Sequence, residues 1–150
     1  MPGLTARASI AAMDDHATDH HRAITASLEL AATRIGDPTT AVYARLFARH
    51  PAMAQEFWRD TAGNIRGEML TRSFEVILDL AGPRAWGDQF LGTEIHTHAA
   101  YGIPPAVFAD FLPIVGDVIR EACGDGFTPA MAAAWQDVLA HAARLAALPG

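Results

Sequence analysis

The feature that most constrains this chain is what it lacks. No segment alternates apolar and polar β-branched residues at period two, so a half-buried strand has nothing to be built from. Apolar residues instead recur three and four apart, in runs separated by Gly and Pro. The 31 alanines among 150 residues add intrinsic helix preference. An all-α domain of six to seven helices is expected.

The punctuation sets the elements. Ile24, Leu28, Ala31 and Ile35 mark a first helix from about Asp19, stopped by Gly36-Asp37-Pro38. Asp37 is a suitable N-cap and Pro38 a first-turn residue for a second helix bearing Val42, Tyr43, Leu46 and Phe47. Pro51 opens a short helical turn, and a long helix follows from about Asn64 to Leu80. Trp86 to Ala100 is a shorter helix, stopped at Tyr101-Gly102-Ile103. Pro104-Pro105 starts the next, ending near Cys123-Gly124, with Pro113 predicting a kink or an irregular turn inside it. Thr128-Pro129 caps the last. Such uneven lengths do not suit an up-down four-helix bundle. Residues 1–18 carry no sustained period and read as a flexible lead-in, leaving 19–150 as the domain.

Composition excludes several functions. A formal charge of −6 argues against a nucleic-acid surface, which needs clustered cations. A single cysteine, Cys123, excludes an internal disulfide and a Cys-rich zinc site, and is expected to be a buried small apolar residue. No run approaches the ~18 apolar residues of a membrane span, and the N-terminus makes a poor signal peptide. A cytoplasmic protein is expected. The Asp14–His21 run places His16 and His20 four apart, but reads as a solvated lead-in rather than a metal site. Trp58, Trp86 and Trp135 read as packing residues or partly exposed anchors.

Three blocks then carry a resemblance. Residues 42–57, VYARLFARHPAMAQEF, place a Tyr, Leu-Phe, a basic residue, His-Pro and a Phe 14 positions after the Tyr. His98-Ala-Ala-Tyr-Gly102-Ile103 follows the pattern His-x-x-x-Gly-[Val/Ile]. Phe108 through Ala134-Trp135 gives two long helices with Gly124-Asp125 between them. In this order and spacing the chain resembles bacterial single-domain haem globins, over roughly residues 20 to 147.

The resemblance implies a globin fold enclosing haem b (iron protoporphyrin IX), with one imidazole on the iron. His98 is the expected axial ligand, and Leu91, Ile103 and Phe108 supply apolar wall. A core histidine satisfied by the fold is the plainer alternative. His96 lies about 200° from His98 around a helix, so both cannot reach one iron. Tyr43 matches the distal Tyr of many bacterial globins and would donate to a bound gas; otherwise it is a core Tyr bonded to a backbone carbonyl. Phe57 matches the ring that stacks on haem, or is an ordinary core Phe.

In the long helix the resemblance puts Arg66 at the position that often gates ligand access, with Leu70 and Phe74 as steric wall. It also puts Gly67 where two helices cross closely. Arg66 departs from the usual His or Gln. A second departure is the lack of a Glu late in the final helix to polarise the proximal His, which argues against peroxidase-like activation. With no distal His or Lys, an open or water-occupied sixth position is expected.

The function implied is reversible binding of O2, CO and NO. Alternatives are NO dioxygenation with an external reductase, since 150 residues leave no room for a flavin domain, and gas sensing through a partner. No nucleic-acid or membrane partner is expected, and the chain is expected to be a monomer or homodimer.

Overall fold

A computed structural model describes the backbone of residues 2–148 and side chains from residue 17 to 148. Among the described residues there are seven α-helices and no strand. They are α1 (Pro2–Ile35), α2 (Thr39–Arg49), α3 (Met53–Glu56), α4 (Asn64–Ala81), α5 (Gly87–Ala100), α6 (Pro105–Cys123) and α7 (Pro129–Ala146), with a 3-10 turn at Gly124–Gly126.

The turn chemistry places most boundaries where the sequence predicts them. Asp37 accepts from the Thr39 backbone N–H at 2.9 Å and the Thr39 hydroxyl at 2.6 Å, tying down the start of α2. Those two bonds hold its carboxyl below the usual carboxylate range. Thr128 Oγ1 accepts from the Met131 N–H at 3.2 Å and caps α7. One expectation fails. The first helix does not begin near Asp19 but runs unbroken from Pro2. After Gly3 the segment holds no Gly or Pro and several alanines, so nothing local stops a helix. The Asp14–His16 part of the acidic and histidine-rich run lies outside the described side chains; His20 pairs with Asp137 at 3.4 Å. Pro113 lies inside α6 without ending it: the helix is assigned continuously from Pro105 to Cys123. Leu112, Ile114, Val115, Val118 and Ile119 around it are buried, so packing offsets the loss of one N–H.

Helix α1 packs on α4, α6 and α7; α2 packs on α4 and α6; α5 bridges α4, α6 and α7. The core where they meet contains Ile24, Val42, Ile77, Leu80, Ile114, Val115 and Val138, all fully buried. One polar thread crosses it. Trp135 Nε1 donates to Ser27 Oγ at 3.0 Å, and Ser27 Oγ donates to the Ile24 carbonyl at 2.7 Å. Every buried polar atom in that thread is thereby paired. Cys123 is fully buried, its thiol facing the Ser27 carbonyl. Burial pushes that thiol up, away from the reactive thiolate. Trp58 and Trp86 are exposed, whereas Trp135 is core.

Candidate functional site

Helices α2, α4, α5 and α6 enclose an apolar cavity of about 350 Å³, inside the size range of small-molecule and cofactor sites. Tyr43 and Leu46 reach it from α2, and Met53, Glu56 and Phe57 from α3 and its end. Met69, Arg72, Ser73 and Val76 line it from α4. Phe90, Leu91, Glu94 and His98 come from α5, followed by Ile103. Val107, Phe108, Phe111 and Leu112 close it from α6.

The wall bearing His98 is set by two local devices. Asp79, buried at the end of α4, accepts from the N–H groups of Ala85 (3.0 Å), Trp86 (3.2 Å) and Gly87 (2.6 Å). It satisfies the donors at the start of α5 and so fixes that helix's rotation. A Cβ on Gly87 would lie 2.8 Å from the Asp79 carboxylate, so only glycine lets the two elements approach this closely. At the other end, Gly102 sits at φ 84°, in the left-handed region. Its N–H reaches the Ala99 carbonyl (3.0 Å), and the Ile103 N–H reaches the His98 carbonyl (3.0 Å). These two bonds form a Schellman motif, which is the physical content of the His-x-x-x-Gly-Ile pattern: the turn folds Ile103 back beside His98.

His98 is oriented through one ring nitrogen. Nδ1 donates to the Glu94 carbonyl at 2.8 Å, which leaves the Nε2 lone pair available. The Phe108 ring holds the imidazole edge-on, centroids 5.0 Å apart. Among the described residues Nε2 has no protein partner, and the side chain is 27% exposed. His96 is exposed, as its helical phase requires.

Tyr43 is 1% exposed and its ring packs against Phe47, Phe57 and Phe111, with centroids 5.9, 5.4 and 5.6 Å away. Among the described residues its hydroxyl has no hydrogen-bond partner. The core alternative, a hydroxyl bonded to a backbone carbonyl, is therefore not what the structure holds. Burial pushes the hydroxyl well above its ordinary value, so it stays protonated and able to donate.

Helix α4 presents other residues to the cavity than the expected Arg66, Leu70 and Phe74. Arg66 does not line the cavity. Its Nε donates to Asp60 Oδ2 at 3.1 Å and its Nη2 to the Asp60 carbonyl at 2.7 Å. Asp60 also accepts from the backbone N–H of Ile65 and Arg66 at 3.1 and 3.0 Å, capping α4. Burial raises the Asp60 carboxyl, but these N–H bonds and the guanidinium outweigh it and hold it below the usual carboxylate range. Leu70, 1% exposed, and Phe74 border an adjoining open hollow together with Gly63 and Asn64, which shares Met69, Arg72, Phe90 and Glu94 with the cavity. A Cβ on Gly67 would meet nothing within 4 Å, so no close helix crossing occurs there. The cavity face of α4 is instead Met69, Arg72, Ser73 and Val76, spaced i, i+3, i+4, i+7. The parallel stripe through Leu70, Phe74 and Ile77 is the more apolar of the two, so hydrophobic periodicity alone favours it. Tyr43, Phe57, Leu91, His98, Ile103 and Phe108 are all brought to one cavity.

Fold and cavity together define an all-α domain that offers one oriented imidazole nitrogen and one unpaired hydroxyl to a mostly apolar occupant. A family model described as Globin matches residues 40–144, which is most of the chain. The chain belongs to the globin family and has the all-α globin fold. Membership implies a haem cofactor and gaseous ligands for the family at large. No curated protein and no solved structure matches the chain. Among the described residues no helix is long and apolar enough to cross a membrane.

Proposed function

We propose that this globin holds haem b in the cavity, with His98 Nε2 as the axial ligand and Tyr43 as the donor to O2, and that it binds O2, CO and NO reversibly. One observation carries the reading: Tyr43, whose buried hydroxyl has no partner among the described residues, and His98, whose Nδ1 is bonded to the Glu94 carbonyl, line the same apolar cavity. An orphaned buried hydroxyl costs free energy, about 1–3 kcal/mol, unless something in the working protein accepts its proton. A small polar ligand in the cavity would do so.

The residues fit the cofactor's chemistry. Phe57, Leu91, Ile103 and Phe108 present apolar surface to a flat ring, and Met69 and Val76 do so from α4. Arg72 is the one guanidinium on the lining and suits the cofactor's carboxylates. It now bonds Glu75 at 2.8 Å on a solvent-facing edge and can exchange partners at little cost. When bound, haem supplies a metal centre that coordinates the gas. The protein's part is to orient the imidazole through the Glu94 carbonyl, exclude water with aromatic rings, and direct the Tyr43 O–H. The globin unit is taken as residues 19–150, with the upstream part of α1 as an extension.

The test is absorbance of the purified protein after haem addition, oxidised, reduced and under CO. A His-ligated ferrous spectrum that shifts with CO is expected. A protein that stays colourless overturns the reading.

A further inference from the structure

We propose that Glu94 is a positioning residue whose side-chain carboxylate acts as the anionic partner of His98, strengthening Nε2 as an electron donor to a bound metal. The inference rests on His98 being the axial ligand.

The geometry is local and specific. Glu94 and His98 are four apart on α5, one above the other on the same face. The Glu94 backbone carbonyl accepts the Nδ1 proton at 2.8 Å, and the same residue's Oε2 lies 3.6 Å from that nitrogen. The carboxylate is thus too far for a hydrogen bond in this rotamer but close enough to act as a charge on the same N–H. Both groups are about one-third exposed or less, 27% for His98 and 33% for Glu94, so water screens the pair only in part. Among the described residues, His98 provides Glu94's one ion pair. Arg72, the cation on the same lining, is bonded to Glu75.

A negative charge beside Nδ1 pulls that proton outward and enriches electron density on the ring. A metal at Nε2 is then bound more strongly in its more oxidised state. The carboxylate comes from the ligand's own helix. Because its reach depends on a single helical register, it needs no contact between distant elements.

The test uses the full chain loaded with haem. Resonance Raman of the ferrous form reads the iron–histidine stretch, and spectroelectrochemistry reads the midpoint potential. Glu94→Gln keeps size and polarity but removes the charge. It should move the stretch to lower frequency and favour the ferrous state by about tenfold, which is about 59 mV for one electron. Glu29→Gln, an equal charge change at an exposed position on α1, should move neither. His98→Ala should abolish the band. A wild-type band that His98→Ala removes and Glu94→Gln leaves in place, with an unchanged potential, refutes the role of Glu94 alone. Absence of a His98-dependent band in the wild type removes the haem reading and this inference with it.

Discussion

Tyr43→Phe should stabilise the empty protein and impair the loaded one. The substitution deletes a single oxygen from a ring that is 1% exposed and whose hydroxyl has no partner. In the haem-free fold nothing is lost but an unpaid desolvation cost, so stability should rise by about 1 kcal/mol, from the low end of the range for an unsatisfied buried group. For a chain of this length that raises the melting temperature by about 2–4 °C. Alkaline behaviour should change too. The hydroxyl ionises far less readily when buried, so wild-type folding is undisturbed below the ordinary tyrosine value and weakens above about pH 10, as the unfolded chain ionises first. Tyr43→Phe should lose that part of the alkaline limb. With haem and O2 the sign reverses. A hydrogen bond to a strongly polar acceptor is worth about 1.5–3 kcal/mol, so O2 should dissociate roughly tenfold to a hundredfold faster, measured by stopped-flow. CO, being less polar, should be much less affected. Calorimetry of the haem-free variant and ligand-replacement kinetics of the loaded one form the assay. A haem-free protein that melts lower, together with an unchanged O2 off-rate, would show that Tyr43 has a structural partner and no ligand role.

Four other outcomes are expected. His98→Ala should abolish iron ligation and, by removing a ligand of the folded state, lower the melting temperature of the haem-loaded protein; His96→Ala should leave the spectrum unchanged. Leu70→Ala should cost about 2–5 kcal/mol in denaturant unfolding with little change in O2 kinetics, whereas Ser73→Leu should crowd the cavity and slow ligand association. Comparable kinetic effects from both would contradict the α4 face assigned to the cavity. Asp60→Asn should flatten the acid limb: the Asp60 carboxyl titrates below its unfolded value, so its contribution is present above about pH 4 and is lost as pH falls through the folded value. An acid melting curve identical to wild type would deny Asp60 its role at the start of α4. Gly102→Ala should cost about 1–2 kcal/mol at its left-handed φ and loosen Ile103 beside His98, read by chemical denaturation and haem off-rate; wild-type values in both would mean the turn tolerates a side chain.

The sequence by itself determined the helices after Gly36, because their ends are encoded locally. Asp37, Thr128, Gly102 and the Gly82-Pro83 pair act within a few residues of where they sit. It also determined which residues share the cavity-facing side of α5 and its terminal turn. His98 and Leu91 share a helix face by spacing, and the Gly102 turn fixes Ile103 next to them. What only the tertiary structure decided is the rotation of α4. That helix is buried on a wide arc, with Leu70, Val76, Ile77, Leu80 and Ala81 all inaccessible. Hydrophobic periodicity shows that a face is buried but not which neighbour buries it. Arg66 illustrates the limit of spacing. Its spacing from Leu70 suits a gate, yet its guanidinium is drawn to Asp60, six residues back in a loop whose path the sequence does not specify. Tyr43 divides the same way. Its place on a buried helix face is legible from the pattern, but the lack of any acceptor for its hydroxyl depends on three Phe rings from α2, the end of α3 and α6, and those are brought together only by folding.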